Sequence, residues 1–275
     1  VKKFKLHIIL PAVIIIVFCI VIFEQNCSKA SQPERAKSTK HSKGEKAQSK
    51  PNDTIISKNL LIGKVNCLTD TNFTEIAIPY GNRKGQYMQK EAYESFKRMC
   101  DAAQKSGVTI TIISGFRSYQ QQKTIWENKW SGKVKVNGNN LSVTLPKSSD
   151  RSRYILKYSS MPGTSRHHWG TDVDLNSLTL VYYQSPAGIK MYDWMCKNAA
   201  TYGFCQPYTL IGKGRDTGYE EEKWHWSYIP IAKKYLAAYK KQISYDDITG
   251  FLGAENAKEL DVIERYVLSV NKECQ

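Results

Sequence analysis

Two short segments constrain this chain more than anything else in it. One is Ser165-Arg166-His167-His168-Trp169-Gly170-Thr171-Asp172-Val173-Asp174, and the other is Glu222-Lys223-Trp224-His225. Together they offer two histidines and a carboxylate for one metal ion, and a spare carboxylate three residues before the last histidine. That is the donor set of a catalytic zinc site, which keeps one position open and a general base beside it. A structural zinc site would fill all its positions with protein, usually with thiolates.

His167 and Asp174 lie seven residues apart with Gly170 between them, and the glycine permits a tight approach. Asp172 and Asp174 share a face of the expected strand, so one can be a ligand while the other orients a histidine. On its own a histidine near an aspartate is ordinarily a plain hydrogen-bonded pair. Glu222 and His225 do not share a face by simple alternation, so a turn or bulge must precede the second strand. The acidic run Glu220 to Glu222 also reads as a solvated stretch. Trp224, Trp226 and Tyr228, however, embed His225 in an aromatic strand, where a buried imidazole needs a partner.

Helix and strand signals alternate without βαβ regularity, which predicts an α+β fold. The spacing predicts helices over 90–106, from about 118 to 130, over 189–202 closed by Gly203, from Pro230 to about 242, and over 257–270. Ser118 and Gln121 have capping-box spacing. Strands are expected over 108–114, 171–175 and 224–228. The polar stretch 131–150 reads as a loose hairpin or a long mobile loop of the kind that forms lids.

The N-terminus lies apart from this. Lys2, Lys3 and Lys5 precede an apolar run from Ile8 to Phe23, which suits a membrane anchor or a signal segment over 1–24. Ser28-Lys29-Ala30 resembles a cleavage site; the anchor is the favoured reading, and either one exports the rest. Residues 25–54 are too polar to offset their ordering entropy and read as a disordered basic tether, leaving 55–275 as one domain. The net charge of +15 would ordinarily suggest nucleic acid. Much of it falls in that N-terminal stretch, no nucleic-acid motif accompanies it, and an anionic envelope or wall accounts for the rest. The seven cysteines include no Cys-x-x-Cys pair, so thiolate ligation is not expected. In an oxidising compartment Cys205 with Cys274, or Cys196 with Cys205, are candidate disulfides.

The pattern Ser-x-His, then Gly, then Asp seven after the His, then Glu-x-Trp-His resembles the VanY-type D-alanyl-D-alanine carboxypeptidases. These are zinc peptidases related in fold to VanX dipeptidases, lysostaphin-type endopeptidases and the hedgehog signalling domain. A third block, Ser114-Gly115-Phe116-Arg117-Ser118-Tyr119-Gln120-Gln121-Gln122, is similar to the family's Ser-Gly-aromatic-Arg-Ser block, and the resemblance spans about residues 59–235. It implies a small, mainly antiparallel sheet with helices around it. It also implies zinc on His167, Asp174 and His225, Glu222 as catalytic base, and Arg117 on the substrate carbonyl or terminal carboxylate. Gln122 and Ser165 would line the same end. Asp172 departs from the pattern, since many members carry a small apolar residue there; a supporting contact and added negative potential both remain open. The implied function is removal of the terminal D-alanine from peptidoglycan stem peptides by an exported, membrane-tethered enzyme. An LD-carboxypeptidase or endopeptidase of wall peptides is the alternative, and a catalytically silent wall-peptide binder is the alternative of another class. The intact base argues against silence.

Overall fold

Alternation of side-chain character settles where the short strands go. The structure, a computed structural model, describes residues 56–275, so the expectations for 1–24 and 25–54 lie outside the described residues. Strands β1 (Phe73–Glu75) and β2 (Tyr87–Gln89) form an antiparallel pair. Strands β3 (Ile112–Ser114), β4 (Asp172–Leu175), β5 (Phe204–Cys205) and β6 (His225–Tyr228) form a second antiparallel sheet in the order β3-β4-β6-β5. Asp172 lies opposite Ser227, Val173 opposite Trp226 and Asp174 opposite His225. Successive strand residues point to opposite faces, so this register sorts the central pair of strands into two unlike surfaces. Val173, Leu175, Trp226 and Tyr228 enter an apolar core, and Asp172, Asp174, His225 and Ser227 occupy the other face.

The helices cover the sheet from either side. α1 (Lys58–Leu61) is a single turn capped by Ser57. α2 (Lys90–Lys105) buries Ala92, Phe96, Met99 and Ala103, spaced to line one stripe, against the apolar face. α3 (Tyr119–Trp130) begins with the capping box between Ser118 and Gln121, as its spacing predicts. α4 (Leu141–Thr144) and α5 (Ser148–Leu156) follow, then α6 (Pro186–Asn198) and α7 (Ile229–Gln242), which has its proline in the first turn. α6 contributes Met191 and Met195 to the core of α2. A second apolar cluster gathers Trp126 from α3, Trp169 from the turn before β4, Leu236 and Tyr239 from α7, and Val262 and Val267 from the C-terminal segment. The fold is α+β. Among the described residues no helix is long and apolar enough to cross a membrane.

Four expectations need correction. The stretch 131–150 is not a long mobile loop: a tight antiparallel bridge between Val136 and Asn139 is all that it has of a hairpin, and α4 and the start of α5 follow, with Val136, Leu141 and Ser149 buried. Asn140 caps α4 by accepting from the Ser142 N–H, a local signal its polar composition hid. The expected helix over 257–270 is a series of turns followed by a π-helical segment, Ile263–Leu268. Asp261 adopts φ 49° and breaks the ladder, so the apolar residues on either side reach the core through two separate turns. The strand expected over 108–114 is confined to Ile112–Ser114. The helix expected from residue 189 starts earlier, because the Ser185 hydroxyl accepts from the Gly188 N–H and Pro186 suits the first turn. It ends at Asn198 in a short 3-10 turn, Ala199–Tyr202, before Gly203.

Candidate metal centre

The segment carrying His167 is a 3-10 turn, Arg166–Trp169, which Gly170 closes at φ 66°. A Cβ at Gly170 would sit 2.4 Å from the Phe73 ring, so the position demands glycine twice over. Backbone and ring hydrogen bonds then stitch this turn to the residues after β3. The Arg117 N–H donates to the His167 carbonyl at 3.1 Å. His167 Nδ1 meets the Gly115 carbonyl at 2.9 Å, and His168 Nδ1 meets the Arg117 carbonyl at 2.6 Å. The other nitrogen of His168 accepts from the Gly163 N–H, which makes it a fully satisfied buried imidazole. Burial pushes its pKa down to about 3, so it stays neutral.

With Nδ1 engaged, His167 turns Nε2 toward Asp174. That nitrogen is buried, lies 3.3 Å from Asp174 Oδ1, and has no aligned hydrogen-bond partner. His225 Nδ1 lies 3.7 Å from the same oxygen and 2.9 Å from Glu222 Oε2. Ligand atoms from His167, Asp174 and His225 all fall within 4.8 Å of one another, and all three residues are buried. An unpaired imidazole nitrogen and a second ring nitrogen facing two carboxylates form a set that a divalent cation would satisfy. The residues therefore fit zinc, with two histidines and one carboxylate.

Glu222 reaches this point because the chain turns before β6, with the His225 N–H donating to the Glu222 carbonyl at 3.2 Å. That is the turn which the three-residue spacing requires. The Glu222 backbone is itself held, its N–H by the Tyr208 carbonyl and its carbonyl by the Gln206 side chain. The Tyr208 ring meets His225 edge-on. Cys205, next to Gln206, is disulfide-bonded to Cys274, the first of the two expected pairings. The alternative pairing of Cys196 with Cys205 is therefore not formed.

Arg117 stands on the other side of the three ligands. Its Nη2 lies 3.4 Å from Asp174 Oδ2, its Nη1 donates to Gln122 Oε1 at 3.0 Å, and its Nε has no partner. Gln122 is wholly buried and donates in turn to the Ser160 carbonyl, so both ends of its amide are engaged. It braces Arg117. Ser165 is buried at the head of the turn that carries His167.

Asp172 is the residue whose surroundings sequence reasoning left open. Burial alone would raise its pKa, but the Arg166 guanidinium and the His225 ring hold it well below the usual carboxylate range. Asp174 is held low in the same way, chiefly by His167. Burial alone would lower the pKa of His225, yet hydrogen bonds to Asp172 and Glu222 raise it to about 9. Arg166, Thr171 and Ser227 also belong to this cluster: Thr171 is adjacent to Asp172, the 3-10 turn brings Arg166 back onto it, and Ser227 meets it through the β4–β6 register.

The profile of the VanY family, described as D-alanyl-D-alanine carboxypeptidase, matches residues 85–231, slightly more than half of the chain. The putative carboxypeptidase YodJ of Bacillus subtilis is 33% identical over 146 residues, covering 52% of this chain and 47% of that protein. A D-alanyl-D-alanine carboxypeptidase of Enterococcus faecalis is 29% identical over 131 residues, covering 48% of this chain and 44% of its own length. The chain thus spans about half the length of these relatives. Among solved structures, VanYB in complex with D-alanine-D-alanine aligns with a TM-score of 0.46 and 21% identity, over 64% of this chain and 87% of that one. The LdcB LD-carboxypeptidase aligns with a TM-score of 0.45 and 23% identity, over 65% and 79%.

Proposed function

The chain belongs to the VanY family of D-alanyl-D-alanine carboxypeptidases, and from that premise we propose that it is a zinc-dependent carboxypeptidase trimming the terminal D-alanine from peptidoglycan stem peptides. The observation that carries this reading is the convergence of His167, Asp174 and His225 on one buried point, with Glu222 on one side and Arg117 on the other. Zinc held there supplies Lewis-acid polarisation of the scissile carbonyl and a more acidic water. Glu222 Oε2 is the group within reach to take the proton of the attacking water and return it to the leaving amine. Arg117 carries a fixed planar charge beside Asp174, suited to a substrate carboxylate or oxyanion. Gln122 holds that guanidinium in place, so its role is orientation.

Glu222 Oε2 meets His225 Nδ1 at 2.9 Å, which holds the base beside the ring atom that would face the metal. We further propose that the enzyme works outside the cytoplasm, tethered through its N-terminal segment. The Cys205–Cys274 disulfide and the lysine-flanked apolar run from Ile8 to Phe23 support that placement.

The test compares a stem pentapeptide with its C-terminal amide, after metal analysis of the purified chain. One zinc per chain and cleavage of the free acid are expected, with the amide cut roughly ten- to a hundred-fold more slowly because a charge-assisted contact is lost. Arg117→Lys should slow the free acid nearly as much, since an ammonium cannot reproduce the planar fork. Equal cleavage of acid and amide would favour an endopeptidase, and cleavage of tetrapeptide stems alone would favour the LD-carboxypeptidase. Zinc without any turnover would leave a wall-peptide binder.

A further inference from the structure

Asp172 has no exposure to solvent, and all of its hydrogen-bonding capacity is spent. Oδ2 accepts from Arg166 Nε at 2.8 Å and from His225 Nε2 at 2.9 Å. Oδ1 accepts from Thr171 Oγ1 at 2.7 Å and from Ser227 Oγ at 2.8 Å. Arg166 is wholly buried too; its Nη2 donates to Ser227 Oγ at 2.6 Å, and its guanidinium lies over the Trp169 ring.

These contacts decide between the two roles open to Asp172. A carboxylate already loaded with four donors offers no oxygen to a cation, so it is not a further metal ligand. Its charge is matched by a guanidinium in direct contact, so it adds little negative potential to the site. What remains is orientation. An acceptor-only carboxylate at Nε2 requires the proton of the neutral imidazole to sit on that nitrogen. The lone pair then falls on Nδ1, the atom that faces Asp174 and Glu222.

We propose that Asp172, balanced by Arg166 and braced by Thr171 and Ser227, is a positioning residue that locks His225 in the Nε2–H tautomer and so presents Nδ1 to the metal. A metal-bound histidine ordinarily hands its second ring N–H to a carboxylate or carbonyl. In this chain His167 uses the Gly115 carbonyl for that purpose, and His225 uses Asp172. The two histidines therefore present opposite ring atoms: Nε2 from His167 and Nδ1 from His225.

The inference rests on the zinc reading above, and the test separates the two. The full chain, 15N-labelled at histidine, is loaded with zinc, and the protonated nitrogen of each ring is read by NMR. His225 should carry its proton on Nε2, in slow exchange with water, with Nδ1 bound to metal. Asp172→Ala and Asp172→Asn should weaken zinc binding roughly 10- to 100-fold in chelator competition. Metallation of His225 at Nε2 in the parent, or unchanged zinc affinity in folded variants, would overturn the proposal. If neither variant folds, the parent spectrum decides alone. A parent that binds no zinc removes the metal reading and this one with it; a parent that binds zinc through the other ring atom removes only this one.

Discussion

The two faces of the β4–β6 pair are equally buried and stabilised by opposite means. On one, Val173, Leu175, Trp226 and Tyr228 pack against α2 and α6, and each such side chain contributes about 1.5–3 kcal/mol by leaving water. On the other, a residue away along the same strands, Asp172, Asp174, His225 and Ser227 are buried with their charges paired and their polar atoms engaged. Burying a charge is costly, and pairing it at best offsets the loss. The apolar face therefore accounts for stability. The polar face is retained by what it can hold, and it stands only because its opposite side is so well packed.

The largest expected effect breaks function on the polar face and leaves the fold alone. Glu222→Gln should keep zinc and the native melting temperature while slowing turnover by about two to four orders of magnitude. Glu220→Gln and Glu221→Gln should change the rate little, because neither carboxylate contacts His225. Equal losses from all three would mean that the run acts through its summed charge.

Next comes a matched pair of substitutions, one on each face. Trp226→Ala should cost about 3–5 kcal/mol by opening a cavity, with zinc affinity kept by the molecules that remain folded. Arg166→Met should cost a similar amount, about 3–5 kcal/mol, by stranding the Asp172 carboxylate, but should lower zinc affinity as well. Denaturation midpoints and metal titration on both variants check this. Similar metal affinities in the two would dissolve the distinction between the faces.

A smaller effect is expected at the disulfide. Converting Cys205 and Cys274 to serine should lower stability by about 2–4 kcal/mol. It should also lower the rate, since Gln206 beside Cys205 holds the Glu222 carbonyl. A reductant titration followed by circular dichroism and by turnover would show whether the two losses coincide.

Acid sharpens the comparison further. Asp172 and Asp174 have folded pKa values below their unfolded value of about 3.9, so their stabilisation is complete above that value and lost as pH falls through the folded pKa. Without metal, the chain should therefore lose stability progressively below about pH 4. Asp172→Ala, although less stable throughout, should show a shallower acid limb in urea midpoints measured against pH. The smallest expected change is at the cap of α3: Ser118→Ala removes its capping box and should cost about 1 kcal/mol with metal affinity kept.

How much of this was legible in the sequence follows from the range of the interactions concerned. Local signals read well. The cap at Ser118, the stripe on α2, the proline at the head of α7 and the turn between Glu222 and His225 are all encoded within a few residues. His167, Asp174 and His225, which the family resemblance implied as a metal set, come together in the fold with ligand atoms within 4.8 Å of one another. Arg166 was not legible, since the 3-10 turn that closes at Gly170 folds it back onto Asp172, and spacing alone does not show that turn. The C-terminal segment misled for a related reason: its apolar spacing is helical, but the left-handed Asp261 lets two separate turns bury the same residues. In the stretch 131–150, polar composition concealed one helix and the start of another, in which Leu141 and Ser149 are buried.

The stitch between residues 115–117 and 167–168 has a consequence for how such a site can diverge. Main-chain groups supply at least one partner in every bond, so no single side-chain replacement removes them all. The spacing between Arg117 and His167 is accordingly hard to alter by point mutation. Inherited changes in reach, toward a longer or shorter terminal group, would have to come through insertion or deletion in these two loops, whereas changes in charge or shape remain open to ordinary substitution.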